Sequence, residues 1–262
     1  FKPPPMVVAL YCSIFVIATC GLVYELVAGT LASYLLGDTI LQFSTIIGTY
    51  LFAMGIGSYL SKFVARGLLV RFVQIEALVG LVGCFAAPIL FISFTYVAGF
   101  RVLLYAFVIL IGTLVGLEIP LLIRILKDRI EFKDLVAQVL SLDYLGALGA
   151  SLLFPLVLMP KLGLLNTSLL FGVANALVAL WTLYLFRAQI PERAGLRTLC
   201  VGVLAALLAG LAFSGQISAF AEGNLYADEI IMSRATPYQR LVLTRWKDDL
   251  RLFINSNLQF SS

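Results

Sequence analysis

The chain has 262 residues, 61% of them apolar and only 12% charged, with a mean hydropathy of +1.04. Soluble domains run near about 45–50% apolar and about 25% charged, so an ordinary water-soluble globule is excluded, and with it a disordered or disulfide-stapled chain. The net charge of +4 gathers in short loops and in the C-terminal tail, where it bears on orientation across a bilayer rather than on nucleic acid.

The expectation is an all-α polytopic membrane bundle with a short polar tail, since a helix needs about 20 mostly apolar residues to cross the hydrocarbon core. Seven such segments follow one another, at residues 6–36, 40–60, 72–96, 102–123, 135–158, 164–186 and 198–213, the last being the shortest. Gly37-Asp38-Thr39 and Pro160-Lys161-Leu162-Gly163 read as turns between them, and Lys62 and Arg66 mark a basic loop. Lys2-Pro3-Pro4-Pro5 lacks a cleavage motif, so no signal peptide is read, and a chain opening on Phe1 is expected to have residues upstream. Beyond Ser214 the period changes. Residues 229–232, 239–246 and 250–254 are short runs rich in β-branched and aromatic side chains, and the last two read as a β-hairpin across Lys247-Asp248-Asp249. A lone hairpin is marginal in water, so the tail is expected to belong to something larger.

Small residues recur four apart at Gly112 and Gly116 and at Gly146 and Ala150, with Gly55 and Gly57 near the end of the second segment. Such spacing lets helix backbones approach closely and leaves a homo-oligomer open. Histidine is absent, and Cys12, Cys20, Cys84 and Cys200 lie inside apolar runs with no metal-site spacing. They read as small buried hydrophobes, and no metal is expected. A retinal Schiff base needs a lysine in the last helix, and residues 198–213 contain none.

Four acids interrupt the apolar segments: Glu25, Glu76, Glu118 and Asp143. An ionised acid at the bilayer centre costs about 2.5–3.5 kcal/mol on insertion scales, so four of them invite an account. One reading is an intramembrane polar site that holds a cation or polyamine, or relays protons. Glu118 is the sharpest case, because Pro120 frees the Gly116 carbonyl, and a carboxylate beside a free carbonyl makes a cation seat. The other reading is structural. Glu76 follows Arg71 by five residues and pairs with it at an interface, Asp143 caps a turn or bonds a neighbouring helix, and Glu25 bonds through Tyr24 or Tyr34.

Charge counting gives an orientation. With seven crossings, the loops on the amino-terminal side carry Lys2, Lys62, Arg66, Arg71, Arg124, Lys127, Arg129, Lys133, Arg187, Arg193 and Arg197, against Arg101 and Lys161 opposite. The positive-inside rule then puts the amino terminus in the cytoplasm and the tail outside.

The tail motifs Tyr226-Ala227-Asp228, Thr236-Pro237-Tyr238-Gln239-Arg240, Leu250-Arg251-Leu252 and Asn257-Leu258-Gln259-Phe260 resemble the opening of a spermidine synthase. In the helical part, residues 21–26 (Gly-Leu-Val-Tyr-Glu-Leu), 34–38 (Tyr-Leu-Leu-Gly-Asp), 42–44 (Gln-Phe-Ser) and 115–120 (Val-Gly-Leu-Glu-Ile-Pro) resemble the membrane-bound bacterial branch of that family. The resemblance covers nearly the whole chain. It implies a β-rich module leading into a Rossmann-like catalytic domain, and transfer of an aminopropyl group from decarboxylated S-adenosylmethionine, as co-substrate, to putrescine. Gln239 and Gln259 fall on the two family glutamines bordering the nucleoside site. The family's Asp-Gly turn is here Asn255-Ser256. The family's Asp-Glu…His-Glu segment, glycine-rich donor loop and catalytic aspartate do not fall within residues 1–262, so no catalytic residue is expected in this chain.

The expected organisation is therefore a transmembrane domain over residues 1–213 and the start of a soluble module over 214–262, in the cytoplasmic (inner) membrane with lipid and polyamine as partners. A cytosolic donor conflicts with a tail placed outside. The final segment lying in the interface, a re-entrant segment, or a misleading resemblance would each resolve it. A polyamine or cation transporter using the four acids, or a structural subunit of a larger membrane complex, are the rival functions.

Overall fold

Glycines and prolines cut this apolar sequence into helices. A computed structural model describes residues 5–97, 99–127, 130–190, 193–226, 228–235, 240–247, 249–254 and 257–261. Its helices are α1 (Pro5–Leu36), α2 (Thr39–Leu60), α3 (Leu68–Tyr96), α4 (Phe100–Leu126), α5 (Phe132–Leu153), α6 (Met159–Leu185), α7 (Arg193–Ala212) and α8 (Ser214–Leu225). Gly37 and Asp38 both take positive φ (72° and 43°), and the Asp38 carboxylate accepts from Leu41 N at 3.2 Å, so this pair ends α1 and caps α2. A π-helical turn at Phe154–Leu158 joins α5 to α6, and Gly163 then leaves the helical region altogether (φ 73°, ψ −178°).

Six stretches are long and apolar enough to cross a membrane, by length and composition, and one of them, Phe132–Leu185, has 54 residues. As a straight rod it would measure about 80 Å, far beyond a hydrocarbon core of about 30 Å. Contacts show that it doubles back. Tyr11 Oη donates to Gln138 Oε1 and Phe15 O faces Gly146, so α1 and α5 run parallel. Tyr24 lies on Gly83 and the Tyr34 ring stacks on Phe91 with centroids 5.7 Å apart, so α3 runs with them. Gly80 faces Ala176 while Ser168 Oγ donates to Gly83 O at 2.8 Å, so α6 runs against α3 and hence against α5. Tyr50 Oη donates to Gly21 O at 2.8 Å and Phe43 lies on Gly29, which sets α2 against α1. Tyr105 Oη donates to Thr45 at 2.8 Å and Gly116 meets Met54, so α4 is parallel to α2. Gly210 sits by Leu169 and Leu207 by Gly172, so α7 runs against α6. Seven helices of the described chain thus alternate in direction, with the turn at Gly163 where the sequence placed it.

The alternation sorts the charges. Lys62, Arg66, Arg71, Arg124, Lys133, Arg187, Arg193 and Arg197 lie at or near one end of the bundle, and Arg101 and Lys161 near the other. Large apolar side chains stand outward as well as inward, Val102 being 76% exposed and Phe52 69%. Backbones touch where residues are small. A Cβ added to Gly112 would lie 2.8 Å from Ala53 Cβ, one on Gly146 2.7 Å from Phe15 O, and one on Gly116 would run into the Met54 carbonyl. Gly57 packs on the same stretch of α4, whereas Gly55 faces open space. Cys20, Cys84 and Cys200 are buried as expected, and Cys12 is exposed.

Helix α8 departs from the sequence expectation of a non-helical tail from residue 214. The helical ladder continues through Phe213, which donates to Ala209 O at 3.0 Å and accepts from Ile217 N at 3.0 Å. The β-hairpin is also part of something larger. Strands β1 (Glu229–Ala235), β2 (Arg240–Trp246), β3 (Asp249–Ile254) and β4 (Asn257–Ser261) form one antiparallel sheet in sequence order. Trp246 pairs with Asp249, and Lys247 takes φ 55°, so the expected three-residue loop closes in two. Strand β4 carries little sequence signal, because only Leu258 and Phe260 alternate in its five residues. Buried Asp228 accepts from Arg251 Nη1 at 2.9 Å and from Thr244 Oγ1 at 3.3 Å, tying the chain before β1 to β2 and β3. The sheet meets the bundle through Tyr226, whose hydroxyl is 3.0 Å from that of Tyr34 and whose ring stands edge-on to Phe253 at 5.0 Å. The sheet therefore lies at the end opposite the basic cluster.

Two stability outcomes follow. Gly116→Val forces α2 and α4 apart and should cost about 1–3 kcal/mol, read as a lower unfolding temperature in detergent, while Gly55→Val should leave it unchanged. Asp228→Ala strips Arg251 and Thr244 of their shared acceptor and should cost about 1–3 kcal/mol. Hydrogen exchange confined to β1–β3 would report it; unchanged exchange there would refute the role given to Asp228.

Candidate functional site

The acids do not all converge. Glu76 on α3 and Glu118 on α4 are 0% and 1% exposed and lie within electrostatic range of each other. Asp143 on α5, half-buried, is in range of Glu118. Each of the two buried glutamates sits eight residues from the basic end of its helix, at Leu68 and Leu126, hence at a common depth of about 12 Å. Glu25 lies toward the opposite end of α1, and the group it shares with the others is Tyr50, on which both Glu25 and Glu118 act.

Several structural readings of these acids are set aside. Arg71 does not pair with Glu76: its Nη1 donates to Gln74 Oε1 at 3.1 Å, and both Glu76 oxygens are buried without a hydrogen-bond partner. Asp143 lies eleven residues inside α5, so it caps nothing. Neither tyrosine proposed for Glu25 bonds it: the Tyr34 hydroxyl is engaged with Tyr226, and the Tyr24 hydroxyl has no hydrogen-bond partner. Glu118 and the Gly116 Cα also point to different sides of α4. Two residues along a helix turn it by about 200°, so Glu118 faces Glu76 while Gly116 is pressed on α2.

Sequence reasoning missed the neutral polar groups around this pair. Tyr24 is 2% exposed, and Glu118 acts on it electrostatically. Cys20, which donates to Phe171 O at 3.7 Å, is in range of both glutamates. Asn175 and Thr182 on α6 are buried with side-chain atoms lacking hydrogen-bond partners, and Asn175 faces Gly80, one turn from Glu76. A buried polar group normally finds a partner, since leaving it without one costs about 1–3 kcal/mol. Glu118 Oε1 is likewise without one. The signal available was an asparagine within an apolar run, Phe171-Gly172-Val173-Ala174-Asn175-Ala176.

Of the two candidate glutamines in the tail, Gln239 lies outside the described residues, as does the Asn255-Ser256 turn. Gln259 is exposed on β4, and its Nε2 donates to Asn257 O at 3.4 Å. Leu252 pairs with Phe260 and Phe253 with Leu258, so Gln259 is the extra residue of a β-bulge. A bulge re-aims one side chain out of the ladder, a device common beside binding sites.

No family model matches the chain, and no solved structure matches it. Curated relatives do. The chain is 53% identical over 257 residues to a polyamine aminopropyltransferase of Leptospira interrogans, covering 98% of this chain and 52% of that protein. It is 58% identical over 260 residues to polyamine aminopropyltransferase 2 of Ralstonia nicotianae, covering 97% and 51%. It is 38% identical over 264 residues to polyamine aminopropyltransferase 1 of Streptomyces coelicolor, covering 97% and 50%. The chain therefore spans about half the length of the curated relatives it matches, and the likeness runs through the helical bundle as well as the sheet.

Proposed function

We propose that this chain is the membrane-embedded helical domain, with the opening β-module, of a spermidine synthase-like aminopropyltransferase of the bacterial cytoplasmic membrane. The observation that carries the transferase reading is 53–58% identity across 97–98% of the chain to proteins of that name. The bulged position of Gln259 agrees with a role at the nucleoside of the donor. In the reaction, the neutral amine of putrescine attacks the aminopropyl carbon next to sulfur of decarboxylated S-adenosylmethionine. The carbon–sulfur bond breaks, methylthioadenosine leaves, and the amine gives up one proton to a base. The intact protein is to supply that base and the acids that hold the polyamine.

Support for the membrane setting comes from the outward Leu, Phe and Val side chains, which in water would form an apolar patch far larger than soluble monomers carry. Alternating helices and one basic end are the arrangement that a bilayer selects. Neither an interfacial final segment nor a re-entrant one is needed, because α7 lies lengthwise along α6 and the α5–α6 pair makes a full reversal. Charge then puts the sheet on the outer face.

The transferase reading is tested on a protein of the relatives' full length that carries this chain, purified in detergent and given decarboxylated S-adenosylmethionine and putrescine. Spermidine and methylthioadenosine in equal amounts are expected. Their absence from folded protein overturns it. Gln259→Ala should raise the KM for the donor by about tenfold, the worth of one lost polar contact. For orientation, Lys247→Cys in a Cys12→Ala background should react with a membrane-impermeant maleimide in intact cells, whereas Arg66→Cys should react only after lysis. The reverse pattern would show the bundle inverted against its charge.

A further inference from the structure

We infer that Glu76, Glu118 and Tyr24 form a binding site for a primary ammonium cation inside the bundle. The site is made of helices alone, so it stands or falls apart from the transferase reading.

Both carboxylates are essentially without exposure, and no ion pair or hydrogen bond accounts for three of their oxygens, both on Glu76 and Oε1 on Glu118. The nearest basic residues along their helices are committed elsewhere. Arg71 holds Gln74, and Arg124 Nη1 donates to Ser61 O at 2.8 Å. A second and independent observation comes from a different helix. The Tyr24 hydroxyl, on α1, is buried, without a partner and within electrostatic range of Glu118. Nothing in the close packing of α1 demands a hydroxyl there; a phenylalanine would fill the same volume.

The donor set selects the ligand. Among the described residues, no three His, Cys, Asp or Glu side chains come together as metal ligands do. A hard metal ion wants six or more oxygens, or several retained waters. A primary ammonium wants three acceptors and brings one positive charge with three N–H groups. Three carboxylate oxygens stand ready for it. A diammonium ion, or one ammonium and one proton, balances the two carboxylates. The Tyr24 ring also borders a cavity of about 20 Å³ lined by Val27, Gly83, Ala87, Val108 and Ile111. Asp143, half-buried on α5 and in range of Glu118, adds a third carboxyl group beside the pair.

Carbodiimide labelling of the whole chain in detergent tests this without altering the acids. Dicyclohexylcarbodiimide adds to buried carboxyl groups, and mass spectrometry of the digest locates the adduct. Labelling of Glu76 or Glu118 should slow by at least about tenfold in saturating putrescine, and not in choline or sodium chloride at matched ionic strength, since choline carries charge without N–H donors. Tyr24→Phe should raise the putrescine concentration for half-protection by about threefold or more. Equal slowing by choline or sodium, or no slowing by putrescine, overturns the site. An unchanged half-protection in Tyr24→Phe removes Tyr24 from it.

Discussion

Close contact between helix backbones is the constraint on which this architecture depends. The helices are apolar on nearly every side, with large side chains standing both inward and outward. Hydrophobicity therefore does not tell a helix which face to bury. Shape does. Gly57 and Gly116 let α2 and α4 touch main chain to main chain, and Gly80 and Gly172 do the same for α3 and α6. A Cβ at any of these four glycines would lie within 2.9 Å of a backbone oxygen of the facing helix, so each pair holds its register only as glycine. Dispersion between well-fitted surfaces then rewards the fit, without any amphipathic stripe.

Fixing those rotations also fixes where the polar residues go. With Gly80 turned to α6, Glu76 on the same stripe of α3 is carried into the interior. With Gly116 turned to α2, Glu118 is swung to the opposite side of α4 and meets Glu76. The pair is thus a geometric consequence of the glycine contacts, yet it carries a desolvation cost that packing alone does not offset. A chain that only needed to pack could place Leu at both positions. Glu25, next to Tyr24 on α1, is linked to the pair through Tyr50, on which Glu118 also acts.

Much of this was legible in the sequence, and the reasons it was not complete are local. Segment lengths and the glycine and proline breaks place the seven long helices within a few residues, because main-chain punctuation acts locally. The small-residue pairs were legible for the same reason, though Gly55 shows that spacing alone does not tell a packed glycine from a free one. What failed was whatever depends on rotation between helices. Reading Glu118 with Gly116, or Glu76 with Arg71, joined residues that are near in sequence and point apart in space. Asn175, Thr182 and the Tyr24 hydroxyl are ordinary in one dimension and become notable only once their surroundings are seen. Strand β4 was hidden by its neighbour's role, since a five-residue strand with polar ends needs β3 beside it to form.

The sheet hangs on the bundle through Tyr226, which touches α1 by its hydroxyl and β3 by its ring. Because α1 ends beside it, the sheet's position is tied to the number of helices that precede it, and an odd number separates it from the basic end. In a membrane setting, charge at loops would act while helices insert, before any soluble module has folded, and would set the direction of the bundle regardless of what the module later does. A module whose chemistry requires a cytosolic donor would then have to be fed across the membrane or work on what lies outside. A single apolar helix is enough to hold a soluble domain at a bilayer, so seven closely fitted helices with Glu76 and Glu118 buried among them exceed what anchoring alone would require.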